Sequence, residues 1–483
     1  MSKTRAPISR GDLTQGPILR TLWRFAAPTL AANVVQTLNG SVNSIWVGRL
    51  LGEGALAATA NANIIMFLAF AAVFGFGMAA TVKVGQAFGA RDLGAARRAF
   101  GSAVGFCGLI SLALAALGWV FAPALLRAMA TPGESYALAL AYLRVIFVAM
   151  PASTLSVMLS MGLRGAGDAT TPLRFMLVTV ALDVVLNPLL ISGIGPFPRL
   201  GIAGSAIATV IASSLGLAGM IAFTYWRDLP LRLRGAELGY LKPDARELAY
   251  ILAKGLPMGA QMLIISGAGI VLMGIVNREG LLTTAAYGAT LQLWNYLQMP
   301  AMAIGAAASA MAAQAIGAGL DERLDRITRA GVMTNLAMTG ALIAVLLALD
   351  RAALVLFLGP ESAAVPLARH IQWLGSWGFL AFGVTFVLFG TMRAGGAVLA
   401  PLAILALSMY PVRLGLIALG YPALGADAIW ASFPLSSLVS MVLAIVAYRR
   451  RGWRAKARAI PSLEAAEESQ ADGEPAGRMA PSI

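Results

Sequence analysis

Among 483 residues the chain has one cysteine, Cys107, and one histidine, His370. A lone cysteine excludes an internal disulfide and a thiolate-held metal cluster. A lone histidine excludes a histidine-based metal site. Charge is also scarce. Only 12% of residues are Asp, Glu, Lys or Arg, about half the share of a soluble domain. No Walker-type phosphate loop is present, so this chain alone is not expected to drive transport with ATP. No nucleophile motif or His/Cys cluster appears, and an enzyme is not expected. Residues Met1–Gly16 lack the apolar core and small-residue cleavage site of a signal peptide.

What is present is apolar surface. Hydrophobic residues make up 59% of the chain, and mean hydropathy is +0.77. Gly is frequent at 52 residues, as suits helices that pack closely in a membrane. A net charge of +14 could point to nucleic acid. In so apolar a chain it reports basic connectors instead, and no nucleic-acid partner is expected.

Twelve apolar segments follow one another: Ile18–Trp46, Ala55–Val82, Ala95–Phe121, Tyr136–Leu163, Leu173–Ile194, Ala203–Trp226, Leu248–Val276, Thr284–Ala312, Ile327–Leu349, Ala364–Met392, Leu399–Leu419 and Ala428–Tyr448. Each is long enough to span a bilayer as a helix, and the longer ones imply tilt or kinks. The connectors alternate in charge. One side holds about 27 basic residues, including Arg20, Arg24, Arg91, Arg174, Arg227, Arg246, Arg323 and the run from Arg449 to Arg458. The other side holds about six: Arg49, Arg127, Arg199, Arg278, Arg351 and Arg369. The positive-inside rule then expects an integral protein of a bacterial-type cytoplasmic (inner) membrane with both termini in the cytoplasm. The basic run after Tyr448 is either a topology signal or a contact for anionic lipid. The tail from Ser462, rich in Glu, Ala and Gly, is expected to be disordered.

The segment Leu177–Ile194 carries one carboxylate, Asp183, with Asn187 four residues on and Pro188 next. Spacing of four puts Asp183 and Asn187 on one helix face. Proline cannot donate the bond that the Val184 carbonyl would accept, which frees an acceptor nearby. An Asp at the centre of a membrane helix costs about 2.5–3.5 kcal/mol on insertion scales. It either faces a protected ion or proton path or bonds a neighbouring helix. The charged form is the costly one, which favours taking a proton. Sodium would need several oxygens instead.

The chain also repeats itself. FAAPTL around Pro28 returns as KGLPMG around Pro257; Gln86 and Gly89 return as Gln314 and Gly317; LRGAGDATTP, ending at Pro172, returns as MRAGGAVLAP, ending at Pro401. The offset stays at about 228–229 residues by subtraction of these positions. Six helices per copy is an even number, so the copies share orientation about an axis along the membrane normal, an architecture suited to alternating access. The expected fold class is therefore an all-α membrane protein of twelve transmembrane helices in two pseudo-symmetric six-helix lobes. The N-lobe is residues 1–226, a cytoplasmic connector 227–247, the C-lobe 248–458 and the tail 459–483.

These landmarks, with NSIWVGRLLGEGALAAT, VGQAFGARDLGAARRAF and LNPLLISGIGPFPRLGIAGSAIAT, resemble the MATE family of multidrug and toxic compound extrusion transporters over nearly the whole chain. The resemblance implies efflux of amphipathic, often cationic small molecules, driven by a proton or sodium gradient, by a monomer without a bound cofactor. One branch of the family uses acids in helices 7 and 10; the matching positions here are Ile265 and Phe382, so that site is not expected. The DinF-like branch uses helices 1, 5 and 6. Its helix 1 acid falls on Asn43, its Asn-x-x-x-Asp pattern reads Asp183-x-x-x-Asn187, and its helix 6 hydroxyl falls on Thr209. The related flippases of lipid-linked precursors or polysaccharides supply the alternative function. They would want several basic residues in the cavity for pyrophosphate, and Arg413 is the main one in this sequence.

Further candidates come from the residues themselves. Gln36, Asn33 and Asn39 recur on helix 1 and either line a cavity or hold helices together. Met258, Met262 and Met299 with Trp294 offer an adaptable apolar pocket, or plain core. Pro28, Pro188 and Pro257 are hinges or simple kinks. Arg413 has no obvious local acid and is expected to snorkel or meet a lipid head group; Lys83 is expected to snorkel as well. Cys107 and His370 read as structural.

Overall fold

A computed structural model describes residues 11–128, 133–450 and 452–453. The tail from 459, most of the basic run after Arg450 and the first ten residues lie outside these.

The apolar segments fold as helices, most of which overrun them at one or both ends while the fifth stops two residues short: α1 (Ile18–Leu51), α2 (Glu53–Gly89), α3 (Leu93–Ala128), α4 (Gly133–Gly165), α5 (Thr170–Ser192), α6 (Ile202–Trp226), α7 (Ala245–Arg278), α8 (Leu281–Gly317) and α9 (Asp321–Ala348). The rest is less regular. A short α10 (Asp350–Leu358) stands where a connector was expected. The tenth segment is two helices, α11 (Ala364–Gly375) and α12 (Gly378–Ala394), bent by 46° at Ser376–Trp377. The eleventh is α13 (Leu399–Leu407) and α14 (Arg413–Leu424), joined by a π-helical turn over Ser408–Val412 that contains Pro411. The last is α15 (Asp427–Arg449).

Among the described residues ten helices are long and apolar enough to cross a membrane, and the bent pair α11–α12 makes an eleventh. The twelfth segment is α1, where Arg20, Arg24 and a row of amides dilute the apolar residues over its 34 residues. Exposed Leu68, Leu117, Val148 and Leu215 are the surface expected where lipid, not water, is the solvent.

The N-lobe core gathers Val47, Tyr142, Phe147, Met150 and Ile191. The C-lobe core forms around Tyr287, Trp294, Ile371 and Trp430. Between the lobes, α1 packs on α8 and α7 packs on α2, as the repeat requires. The repeat is visible in single bonds too. Gln314 Nε2 donates to the Gly165 carbonyl at 3.1 Å, and Gln86 Nε2 donates to the Ala394 carbonyl at 2.6 Å. Gln86 and Gln314 are repeat mates, as are Gly165 and Ala394 (394 − 165 = 229). A Cβ on Gly89 would strike the Gln314 backbone, and one on Gly317 would strike the Gln86 backbone. The α2–α8 crossing therefore needs both glycines.

These contacts lie at the end with the basic connectors. There Lys83 of α2 pairs with the buried Glu247 of α7 at 2.7 Å and lies over the Tyr250 ring. Lys83 thus does not snorkel: a charge partner lies across the lobe boundary. Each lead-in segment is held by the opposite lobe. Arg323 of α9 donates to the carbonyls of Leu13, Gln15 and Gly16 before α1. Arg97 of α3 donates to Pro230 O at 2.9 Å and to Glu237 at 2.6 Å in the connector before α7. Burial alone would raise the Glu237 carboxyl, but the bonds from Arg97 and the Arg234 N–H, with the charges of Arg97 and Arg232, hold it below its ordinary value.

Candidate cation and substrate site

Asp183 sits in α5, 4% exposed. Thr209 Oγ1 of α6 donates to its carboxylate at 3.0 Å, and the Asn39 side chain of α1 hydrogen-bonds to it as well. The predicted i,i+4 partner takes another role. Asn187 Nδ2 donates to the Asp183 backbone carbonyl at 3.0 Å, one residue before the Val184 carbonyl that Pro188 leaves without a donor, and α5 runs through the proline unbroken. Asn43 lies one turn beyond Asn39 and accepts from Ser205 Oγ of α6 at 2.9 Å. Tyr142 of α4 bonds Asn43 and lies close enough to Asp183 to feel its charge.

Four predicted residues, Asp183, Asn187, Asn43 and Thr209, therefore meet in one cluster, and Asn39 joins it. Two members were missed. Ser205 stands four residues before Thr209 and shares its helix face, a signal the sequence did carry. Tyr142 is a lone phenol in an apolar helix, and nothing local distinguishes it from core.

The electrostatics are unusual for a buried acid. Among the described residues no Lys or Arg pairs with Asp183; every partner is neutral. Two further acceptors, Asn187 Oδ1 and Asn39 Oδ1, are buried without a hydrogen-bond partner. Orphaned buried acceptors are rare and costly. The amide orientation of Asn187 is set by its Nδ2 bond to a carbonyl, so its oxygen cannot be exchanged for the donor. A carboxylate with only neutral donors, and with orphan amide oxygens nearby, suits a proton or a small monovalent cation. No cluster of three His, Cys, Asp or Glu that could hold a metal exists among the described residues.

The remaining candidates lie elsewhere. Asn33 is half-buried and Gln36 exposed on α1; with Asn39 and Asn43 they form one stripe at spacings of three and four. Met258 and Met299 are buried and Met262 half-buried on α7 and α8. Trp294 is 1% exposed, donates to Ser376 Oγ at 3.0 Å and packs edge-on against Phe433 and Phe379, within the C-lobe core. Pro28 and Pro257 sit inside α1 and α7 without interrupting them. Arg413 is not at a membrane surface. It is 9% exposed, donates to Ser436 Oγ at 3.0 Å and lies 4.7 Å over the Phe433 ring. The snorkelling expected of it fails because aromatic and hydroxyl partners receive it inside the lobe. Cys107 is buried, and His370 pairs with Asp427 at 2.8 Å.

The model of the MatE family matches residues 28–189 and 257–419, one match per lobe. The chain belongs to the MATE family. It is 32% identical over 458 residues to a probable multidrug resistance protein, YoeA, of Bacillus subtilis, covering 94% of this chain and 98% of that one. A FAD transporter of Shewanella oneidensis is 28% identical over 317 residues, 65% of this chain and 69% of that one. Among solved structures, an outward-facing multidrug resistance MATE family transporter superposes with a TM-score of 0.86 at 20% identity, covering 94% of this chain and all of that one. This MATE protein is thus an integral, multi-pass member of a family of transporters for small molecules, built on the twelve-helix fold.

Proposed function

We propose that the protein exports amphipathic, often cationic compounds across a bacterial inner membrane by antiport with a cation that loads at Asp183. The observation that carries this reading is a buried carboxylate whose partners are all neutral, with two orphan amide oxygens beside it. Taking a cation removes the cost of the buried charge. Releasing it restores that cost, so the loaded and empty forms prefer different packings of α1 against α5 and α6. A differential affinity of a few kcal/mol between the two packings is enough for coupling. Protonation needs only the carboxylate and is the leading form. Sodium is the second reading, favoured by the Asn39 and Asn187 oxygens. The multidrug proteins among the relatives support efflux of drugs; the flippase alternative loses support because Arg413 is enclosed in the C-lobe.

We infer from the positive-inside rule that the basic connectors, both termini and the α2–α8 crossing face the cytoplasm. The test is drug or dye efflux in proteoliposomes with sodium and proton gradients imposed separately. Efflux that follows the proton gradient alone supports the leading form, and efflux that follows sodium supports the second. Indifference to both gradients rules out antiport. For orientation, a cysteine at position 278 in a Cys107-free chain should label only from outside the cell.

A further inference from the structure

A cavity also lies away from Asp183. A recess of about 780 Å³ opens at the basic end of the N-lobe, between the segment before α1 and the ends of α1, α5 and α6. Four arginines line it: Arg20 and Arg24 of α1, Arg174 of α5 and Arg227 just after α6. Arg20 and Arg24 are four residues apart and so share a face. None of the four has an acidic partner among the described residues. Two acids also line the recess, but both are committed to their own turns. Asp12 accepts from Thr14 N and Oγ1. Asp168 accepts from Thr170 N and from Thr171 N and Oγ1. Charge for topology alone needs no cavity and no convergence.

We propose that this recess binds a phosphate-bearing anion. Guanidinium forks match phosphate oxygens in pairs, and basic pockets between membrane helices are suited to anionic head groups. A lipid is the better supported source. Arg227 stacks on Trp226 at 5.2 Å and on Phe223 at 5.9 Å. Trp226 is 76% exposed at the helix end, the level at which tryptophan meets lipid head groups. Phe223, Leu229 and Pro230 give the recess an apolar flank for the glycerol and upper chain. A soluble phosphate ester would use the same four guanidiniums without that flank.

Native mass spectrometry of the purified full chain separates the sources. The probes are phosphatidylglycerol, phosphatidylcholine and free glycerol 3-phosphate. The pocket variant is R20Q/R24Q/R174Q/R227Q. The control, R246Q/R326Q/R329Q/R449Q, removes the same charge from exposed positions on the same end. The expected result is at least tenfold weaker phosphatidylglycerol binding in the pocket variant, with phosphatidylcholine unchanged and the control like the wild type. Glycerol 3-phosphate binding that the pocket variant alone loses also supports the site and assigns it to a soluble ester. Equal losses in both variants would overturn the proposal, as would a wild type that binds neither anion better than phosphatidylcholine. Should the fourfold variant fail to fold, R20Q/R24Q and R174Q/R227Q are measured separately, each expected to weaken binding at least threefold.

Discussion

In the N-lobe, α5 offers Asp183 to a hydroxyl on α6. In the C-lobe, the helix of the same rank offers Arg413 to a hydroxyl on α15. The repeat aligns Pro172 with Pro401; Asp183 follows the first by eleven residues (183 − 172) and Arg413 the second by twelve (413 − 401). The π turn at Ser408–Val412 lies in that interval, and a π turn accommodates one extra residue. Once it is counted, Arg413 stands where Asp183 stands. The family matches agree: the two copies begin 229 residues apart (257 − 28) and end 230 apart (419 − 189). On the next helix, Gly201 and Gly425 align, which brings Thr209 and Phe433 together (209 − 201 = 433 − 425). Thr209 bonds the acid, and Phe433 lies under the base. One scaffold thus carries a buried acid without a cationic partner in one lobe and a buried base in the other. Under the proposed antiport, coupling falls to the N-lobe and the C-lobe centre has a static role.

The strongest way to break this comparison is Asp183→Asn. It keeps the shape and the Thr209 contact but cannot titrate or carry charge. The expected outcome is folded protein in which efflux no longer responds to an imposed gradient. Wild-type gradient dependence in that variant, read by dye efflux, would place coupling elsewhere. Arg413→Gln should do the reverse. Losing a desolvated cation–π contact and a charged hydrogen bond should lower stability by roughly 1–3 kcal/mol, seen as an earlier thermal unfolding transition, with ion dependence intact. Loss of coupling without loss of stability would make the C-lobe centre a working site.

The symmetric clasp gives a finer test. Gln86→Ala and Gln314→Ala each remove neutral cross-lobe bonds worth about 1 kcal/mol apiece, so each should shift the balance between states with the α2–α8 crossing made and broken by roughly fivefold. Gln314→Ala should shift it more, because Gln314 also bonds Leu13 and Gly11. Spin-label distances between cysteines at positions 91 and 246, in a Cys107-free chain, would report the shift; unchanged distances in both variants would remove the clasp from the mechanism. The smallest effect concerns the connector. The Glu237 carboxyl is held below its ordinary value, so its contribution is full above the unfolded value and is lost as pH falls through the lower, folded one. Protease nicking of the connector should therefore rise only as the pH falls below the ordinary carboxylate value, where an acid-active protease reads it. Glu237→Gln should nick equally at all pH values; a pH response that persists in it would assign the effect to another group.

The sequence by itself determined the spans, the repeat, the expected orientation and the one acid worth following. These rest on local quantities: runs of about twenty apolar residues, charge in short loops and spacings of four on one helix. The MATE resemblance also pointed to Asn43 and Thr209, which helix rank and register place near Asp183. Only the tertiary structure decided what each side chain meets. Asn187 looked like a partner for the carboxylate and instead bonds a backbone carbonyl; Tyr142 entered the cluster because α4 packs against α6. Lys83 found Glu247, 164 residues away (247 − 83), because α7 crosses to the other lobe. Arg413 took the place of Asp183 because a π turn shifts the register by one residue. Periodicity says which face of a helix a residue occupies, and helix crossings, set by glycines such as Gly89 and Gly317, say what that face touches.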